Sequence, residues 1–330
     1  MPEILKAFSP CKIILFGEHA VVYGYPAIAM ALDLGTEVIL KESDKEGVNI
    51  ISENYGISWN PNSYEKTPLI FKPFKRVLEI IAEKFPQKAH LLSCIEIKIT
   101  TKAPPASGLG TSASTAVAFT AVLLNYLGID FSQNLVNEIA YEAERVSHGN
   151  PSGIDNFIAT YGGIIKFVRT KQGAHFERLD ISENFPLLLV CTGVERRTKE
   201  AVEAVAKLRE RAPDIVNRIF KMIGEISERA WTMFRENRID LRVLGDLMNI
   251  NHGLLSAIGV SSDVIEEVIY LLRENGAIGA KLTGAGIGGC VIGLFRNWED
   301  VESAKRNIEK KFYCLTVKPQ NQGVYVKTLM

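Results

Sequence analysis

Two carboxylates, Glu144 and Asp155, flank the segment RVSHGNPSGI, and a lysine, Lys12, interrupts the apolar run CKIILF. Glu144 closes an amphipathic helical pattern, and the Gly, Asn and Pro residues that follow make a turn able to bring both acids toward one point. One acid can then hold a divalent cation while the other accepts a proton. Phosphoryl transfer to a hydroxyl requires that division of labour. An Asp capping a helix and a Glu on a solvated face account for the same pair taken alone. Lys12 by itself reads as an outward-facing strand residue.

Between these groups lies PPASGLGTSAS, residues 104–114, placed after the β-rich run CIEIKIT and before the apolar run AVAFTAVLLNYL. Gly108 and Gly110 can take positive φ and leave no side chain between backbone and ligand. Thr111, Ser112 and Ser114 then open a helix whose first amides lack internal partners. The stretch is either an anion cradle or a capped strand-to-helix turn. No Lys-Ser/Thr follows its last glycine, so it is not a Walker A loop. Gly108, Gly110 and Ala113 fit a dinucleotide fingerprint with Asp130 downstream, yet Asp130 follows a continuing helical pattern instead of a second strand. A second glycine run, Gly284 to Gly289, also fits that fingerprint but precedes the strand-like CVIGLF where a helix is needed.

The elements that must hold these residues mix strands and helices irregularly, so an α+β fold is expected. Strands are read at Lys12–Phe16, Ala27–Leu32 and Glu37–Leu40, punctuated by Gly17, Gly24 and Gly35, and helices at Leu69–Phe85, Ser112–Leu127 and Ser132–Ser147. A strand at Pro186–Cys191 opens a second unit. Helical patterns then dominate from Thr198 to Asn275, broken at Pro213, Gly245 and Gly276, before strands CVIGLF and FYCLTV around a helix near Glu299–Lys310. With 330 residues, two domains are expected, at 1–180 and 181–330.

Lys plus Arg and Asp plus Glu balance at 38 each, which argues against nucleic acid as a partner. No apolar run is long enough to span a bilayer and no signal-like h-region opens the sequence, so no membrane partner and a cytoplasmic location are expected. The five cysteines are scattered and never form a CxxC pair; they are expected to be reduced and to bind no zinc. The five histidines show no metal spacing either.

Taken together, four stretches in order resemble the GHMP kinase superfamily: PCKIILFGEHAVVYGYPA, PPASGLGTSAS, HGNPSGIDN and KLTGAGIGGC. The first is similar to that of the members acting on mevalonate. The resemblance implies an amino-terminal domain like ribosomal protein S5 domain 2, a ferredoxin-like carboxy-terminal domain, and phosphorylation of the mevalonate C5 hydroxyl with ATP and Mg2+. It makes Asp155 the proton acceptor, with Lys12 beside it. The phosphates would lie on Pro105, Ala106, Ser107, Gly108, Leu109, Gly110, Thr111, Ser112, Ala113 and Ser114, with Gly284 and Gly286. Ser112 and Glu144 would hold the metal. Lys12, Glu18, His19, Arg196 and Thr198 would line the mevalonate site, Arg196 or its neighbour Arg197 gripping the substrate carboxylate. Thr111 and Ile287 stand where serine and glycine are commoner in the family. Rival readings are a kinase for phosphomevalonate, homoserine, galactose or the mevalonate 3-hydroxyl, a ligand-sensing relative without catalysis, and a dehydrogenase. The expected partner is the small-molecule substrate, with a homodimer the one protein assembly considered.

Overall fold

The computed structural model describes residues 4–61, 66–104, 107–149, 151–170, 173–182, 185–195 and 197–329. Pro105, Ala106 and Arg196 lie outside them.

The chain opens with β1 (Ile4–Phe16), β2 (Ala27–Glu42), β3 (Gly47–Ser52) and β4 (Ile57–Trp59). Next come α1 (Lys72–Lys84), a short α2 (Pro86–Ala89), β5 (Cys94–Thr101), α3 (Thr111–Tyr126), α4 (Gln133–His148), α5 (Ile154–Tyr161), β6 (Ile164–Thr170) and β7 (Gly173–Leu179). The order β12-β1-β2-β5-β3-β4 forms one sheet, with β6 paired to β2 and β7 to β6. Its last strand, β12 (Tyr325–Leu329), is the end of the sequence folding back antiparallel onto β1, with Ile4 opposite Leu329.

The second sheet contains β8 (Leu187–Cys191), β9 (Gly279–Thr283), β10 (Cys290–Leu294) and β11 (Tyr313–Val317), in the order β11-β8-β10-β9 and antiparallel throughout. Numbered within this unit, that is 4-1-3-2, the order of the ferredoxin-like split βαβ arrangement. Helices α6 (Thr198–Arg211), α7 (Pro213–Arg235), α8 (Leu241–Ala257) and α9 (Asp263–Glu274) join β8 to β9, and α10 (Trp298–Ile308) joins β10 to β11.

Helix α3 is the hub of the first unit. Every residue from Ala113 to Leu124 is buried, because the helix lies between the large sheet and α1, α4 and α5. A second core joins the units: Ile13, Leu15 and Phe16 of β1 pack with Leu187 and Leu189 of β8 and with Trp231 and Met248 of α7 and α8. Burial of this apolar surface fixes one sheet against the other.

Local differences from the sequence reading have identifiable causes. Gly35 does not end a strand; β2 runs through it, because Gly35 crosses β1 so closely that a Cβ would lie 2.2 Å from the Ser9 carbonyl. Gly245 likewise sits inside α8, where its bare Cα lets the helix touch β9 beside Gly279. Strands β3, β4 and β12 and helix α5 are short and mix polar with apolar residues, so periodicity does not announce them.

The cysteine expectation needs correction. Cys191 and Cys290 face each other across β8 and β10 and form a disulfide, a pairing hidden by their separation of 99 residues. Cys11 and Cys314 are free and buried, and Cys94 is free and exposed. No cluster of metal-ligating side chains occurs among the described residues, and no described helix is long and apolar enough to cross a membrane.

His252 on α8 carries a pH-dependent contribution to stability. The ring is buried, with Nε2 3.3 Å from Glu266 and Nδ1 facing the Leu282 N–H. Burial outweighs the attraction of Glu266, and with the nearby charges of Lys281 and Arg273 it holds the imidazole below its ordinary pKa of 6.5. The unfolded chain therefore takes up this proton before the folded one does. The contribution is complete above about pH 6.5 and is lost as the pH falls through the lower, folded value. The melting temperature is expected to fall between pH 7 and 5, and the His252→Gln substitution to make that fall shallower; an unchanged pH dependence refutes the assignment.

Candidate active site

Lys12 reaches the site because β1 is irregular beside it. Pro10 has no N–H to give the ladder, and the β1–β2 register shifts between Pro10 and Lys12, which re-aims the following side chains. The Lys12 backbone N–H donates to the Leu109 carbonyl at 2.8 Å, stitching β1 to the glycine turn. Its ammonium, on a side chain only 4% exposed, donates to the Gly108 carbonyl at 3.2 Å and pairs with Asp155 Oδ1 at 3.3 Å. Gly110 makes room for this stem. With φ at +74°, it would place a Cβ 3.1 Å from Lys12 Cγ, so both its conformation and its lack of a side chain are needed.

Asp155 lies in the first turn of α5, which starts from Gly153 in the left-handed region. The turn before it is tied to α4 by Tyr141, whose hydroxyl donates to the Pro151 carbonyl at 3.2 Å. Asn156 donates to Asn137 Oδ1 at 2.7 Å and pins the start of α5 to the same helix. The Asp155 carboxylate, 41% exposed, therefore stands at a fixed place with an open side. On α4, Glu144 is buried and accepts a 2.5 Å hydrogen bond from the Ser112 hydroxyl at the start of α3. Residues distant in sequence thus bring four oxygen or nitrogen groups to one place: Lys12 and Asp155, and beside them Ser112 with Glu144.

A cavity of about 400 Å3 opens onto these groups. Its polar end is lined by Ser107, Gly108, Gly110, Thr111, Ser112 and Glu144, with Asp155 and Thr198 alongside. Its other end is apolar and was not anticipated from the motifs: Tyr55, Leu69, Ile70, Pro73, Phe74 and Ile99 come from β5, α1 and the loops around them. No motif marks them; only the helical pattern over 69–85 placed a core-facing stripe nearby. The Ser107 hydroxyl is buried in this wall with no hydrogen-bond partner among the described residues. An orphaned buried hydroxyl calls for a ligand acceptor or donor.

Several candidates fall elsewhere. Ser114 is fully buried and bonds Thr36 Oγ1 at 2.8 Å, its side chain turned to the large sheet rather than the cavity. The Leu109 side chain likewise belongs to the shared core, leaving only its backbone near the loop. Gly284 and Gly286 are not on the cavity wall. Their loop packs on the α8–α9 connection, where a Cβ on Gly286 would lie 2.1 Å from the Val260 carbonyl. Ile287 keeps the same close approach: it takes φ +61°, and its N–H donates to Val260 at 2.8 Å. Gly288 is as constrained, against the carbonyls of Val194 and Glu195.

Glu18 and His19 do not line the cavity either. Glu18 is buried in an ion pair with Lys281, and His19 Nε2 faces the Ala285 carbonyl at 2.9 Å. The sequence reading missed Lys281, although its place at the head of KLTGAGIGGC was visible. Arg197 is 65% exposed and pairs with Glu200 at 3.4 Å. Cys11, next to Lys12, has its thiol pushed up to about 11, chiefly by burial, which leaves it unreactive near neutral pH.

Comparison with known proteins matches this architecture. Residues 72–163 match the family model described as GHMP kinases N terminal domain, and residues 234–314 match GHMP kinases C terminal. The mevalonate kinase of Thermococcus gammatolerans is 34% identical over 302 residues, covering 87% of this chain and 88% of its own. That of Aeropyrum pernix is 32% identical over 330 residues, covering 98% of each. Among solved structures, L. major mevalonate kinase in complex with R-mevalonate superposes with a TM-score of 0.83 at 29% identity, covering 96% of both chains. The Methanococcus jannaschii mevalonate kinase superposes at 0.81 with 27% identity, covering 96% of this chain and 98% of its own.

Proposed function

The chain belongs to the GHMP kinases, ATP-dependent small-molecule kinases, and from that premise we propose that it phosphorylates the C5 hydroxyl of mevalonate with Mg2+-bound ATP. The observation that carries the mechanism is the Lys12–Asp155 pair set against the mouth of a cavity with one polar and one apolar end. The apolar end, with Phe74, Ile70 and Tyr55, suits a purine base. The polar end suits phosphates: backbone amides at the start of α3 face it, the helix dipole favours negative charge, and Ser107 offers an unengaged hydroxyl.

Asp155 accepts the proton of the attacking hydroxyl. Lys12, held by the Gly108 carbonyl on the phosphate loop and paired with Asp155, stabilises the alkoxide as it develops. Ser112 and Glu144 form a hard oxygen donor set that would hold Mg2+, which would supply positive charge against the phosphates. The acceptor lies on the side of the cleft bounded by the Gly284–Gly289 loop and residues 192–195. Arg196 or its neighbour Arg197 grips its carboxylate in two places. The boundary between the two units falls near residue 180, with β12 returned to the first unit.

An ADP-release assay with ATP and a panel of acceptors tests this reading. Mevalonate is expected to be turned over with kcat/KM at least about a hundredfold above phosphomevalonate, homoserine and galactose, the margin a site built for one set of polar groups provides. A higher value for any of the others reassigns the substrate. Analysis of the product phosphate position separates the C5 from the C3 hydroxyl.

A further inference from the structure

Lys281 on β9 is fully buried. Its ammonium forms a close ion pair with Glu18 Oε1 and donates to the Leu282 carbonyl at 2.6 Å. The other Glu18 oxygen accepts from the Asn251 side chain on α8 at 3.2 Å. Neither charged group borders the cavity. A pair buried this deeply is weak evidence for stability, since apolar groups of like volume often serve a fold as well. What the pair supplies is direction.

Glu18 is the middle residue of the Gly17–His19 turn that follows β1. In that turn His19 holds φ at +60°, a left-handed conformation that a non-glycine residue keeps only where its surroundings over-determine it. The surroundings are Lys281 and Asn251 on one side and the His19–Ala285 contact on the other. Ala285 is the second residue of the glycine loop, and Thr283 just before the loop bonds both the N–H and the carbonyl of Ile14 on β1. At the far end of the loop, Gly289 donates to the Val194 carbonyl at 3.0 Å, and Gly288 rests on Val194 and Glu195. That segment leads to Thr198 on the cavity wall.

We propose that Lys281 is a positioning residue for the acceptor side of the cleft: its ion pair with Glu18 seats the Gly17–His19 turn on the glycine loop and thereby sets residues 192–195. The proposal rests on the reading of that side as the mevalonate site.

Steady-state kinetics and melting temperatures of wild type, Lys281→Met, Glu18→Gln and the double variant test it. Lys281→Met leaves a buried carboxylate without its cation and is expected to lower the melting temperature. The double variant carries no uncompensated charge and should recover most of that loss. In both, the KM for mevalonate is expected to stay raised by about tenfold or more while the KM for ATP changes less than about twofold, a loss confined to acceptor binding. Recovery of the mevalonate KM along with stability, or a parallel rise in the KM for ATP, overturns the proposal. If Lys281→Met does not fold, Glu18→Gln and the double variant carry the same comparison. A wild type that does not phosphorylate mevalonate defeats the functional reading itself; an active wild type without this split in KM defeats only the role of Lys281.

Discussion

Replacing Asp155 by Asn is expected to lower kcat by about 10²–10⁴-fold, the usual contribution of a positioned general base, while ATP binding measured by titration calorimetry stays close to wild type. The shape of the side chain is kept, so the Gly153 turn and the helix it opens have no reason to change. Lys12 keeps its hydrogen bond to the Gly108 carbonyl but, being only 4% exposed, is left without its counter-ion, so a moderate fall in melting temperature is expected. A large loss of turnover with an intact fold and intact nucleotide binding isolates the chemical step. Near-normal turnover in this variant removes Asp155 from the mechanism.

The second large effect is expected at Glu144. Glu144→Gln retains an oxygen able to accept from Ser112 but removes the negative charge beside it. Turnover at low Mg2+ should fall by roughly 10²-fold or more, in the range seen when one electrostatic contact to the transition state is lost. Raising Mg2+ should recover part of it. Binding of ATP in the presence of a chelator should be unaffected, a readout independent of catalysis. If the Mg2+ dependence does not shift, Glu144 serves only to anchor the first turn of α3 through Ser112.

The parts of the site that were legible in the sequence are those whose chemistry is local. Gly108 and Gly110 before a run of hydroxyls mark a turn into a helix wherever they occur, and the acids around RVSHGNPSGI sit on a helix end and a turn that composition alone predicts. Lys12 was legible only through resemblance, because its significance depends on a register shift in β1 and on a loop almost a hundred residues away. The apolar wall from Ile70, Phe74 and Ile99 was not legible as a site, since residues that line a cavity and residues that fill a core obey the same periodicity. The ion pair of Glu18 was not legible for a related reason. Its position in GEHAVV is compatible with a ligand contact, and only the fold reveals that Lys281 arrives from the other sheet. The disulfide was missed because strand order, which sets Cys191 opposite Cys290, is not written in cysteine spacing.

The pairing of β12 with β1 has a consequence for how the molecule assembles. The hydrogen-bonding edge of Ile4–Phe8 is offered as soon as the first strands form, yet its mate is made after nearly everything else. Until then an uncapped ladder stands open to other chains, the situation in which nascent proteins stick to one another. Polypeptides ending after α5 therefore carry Lys12, Ser112, Glu144 and Asp155 together with a bare adhesive margin, and a short peptide of sequence YVKTL supplied in trans is the natural cover for it.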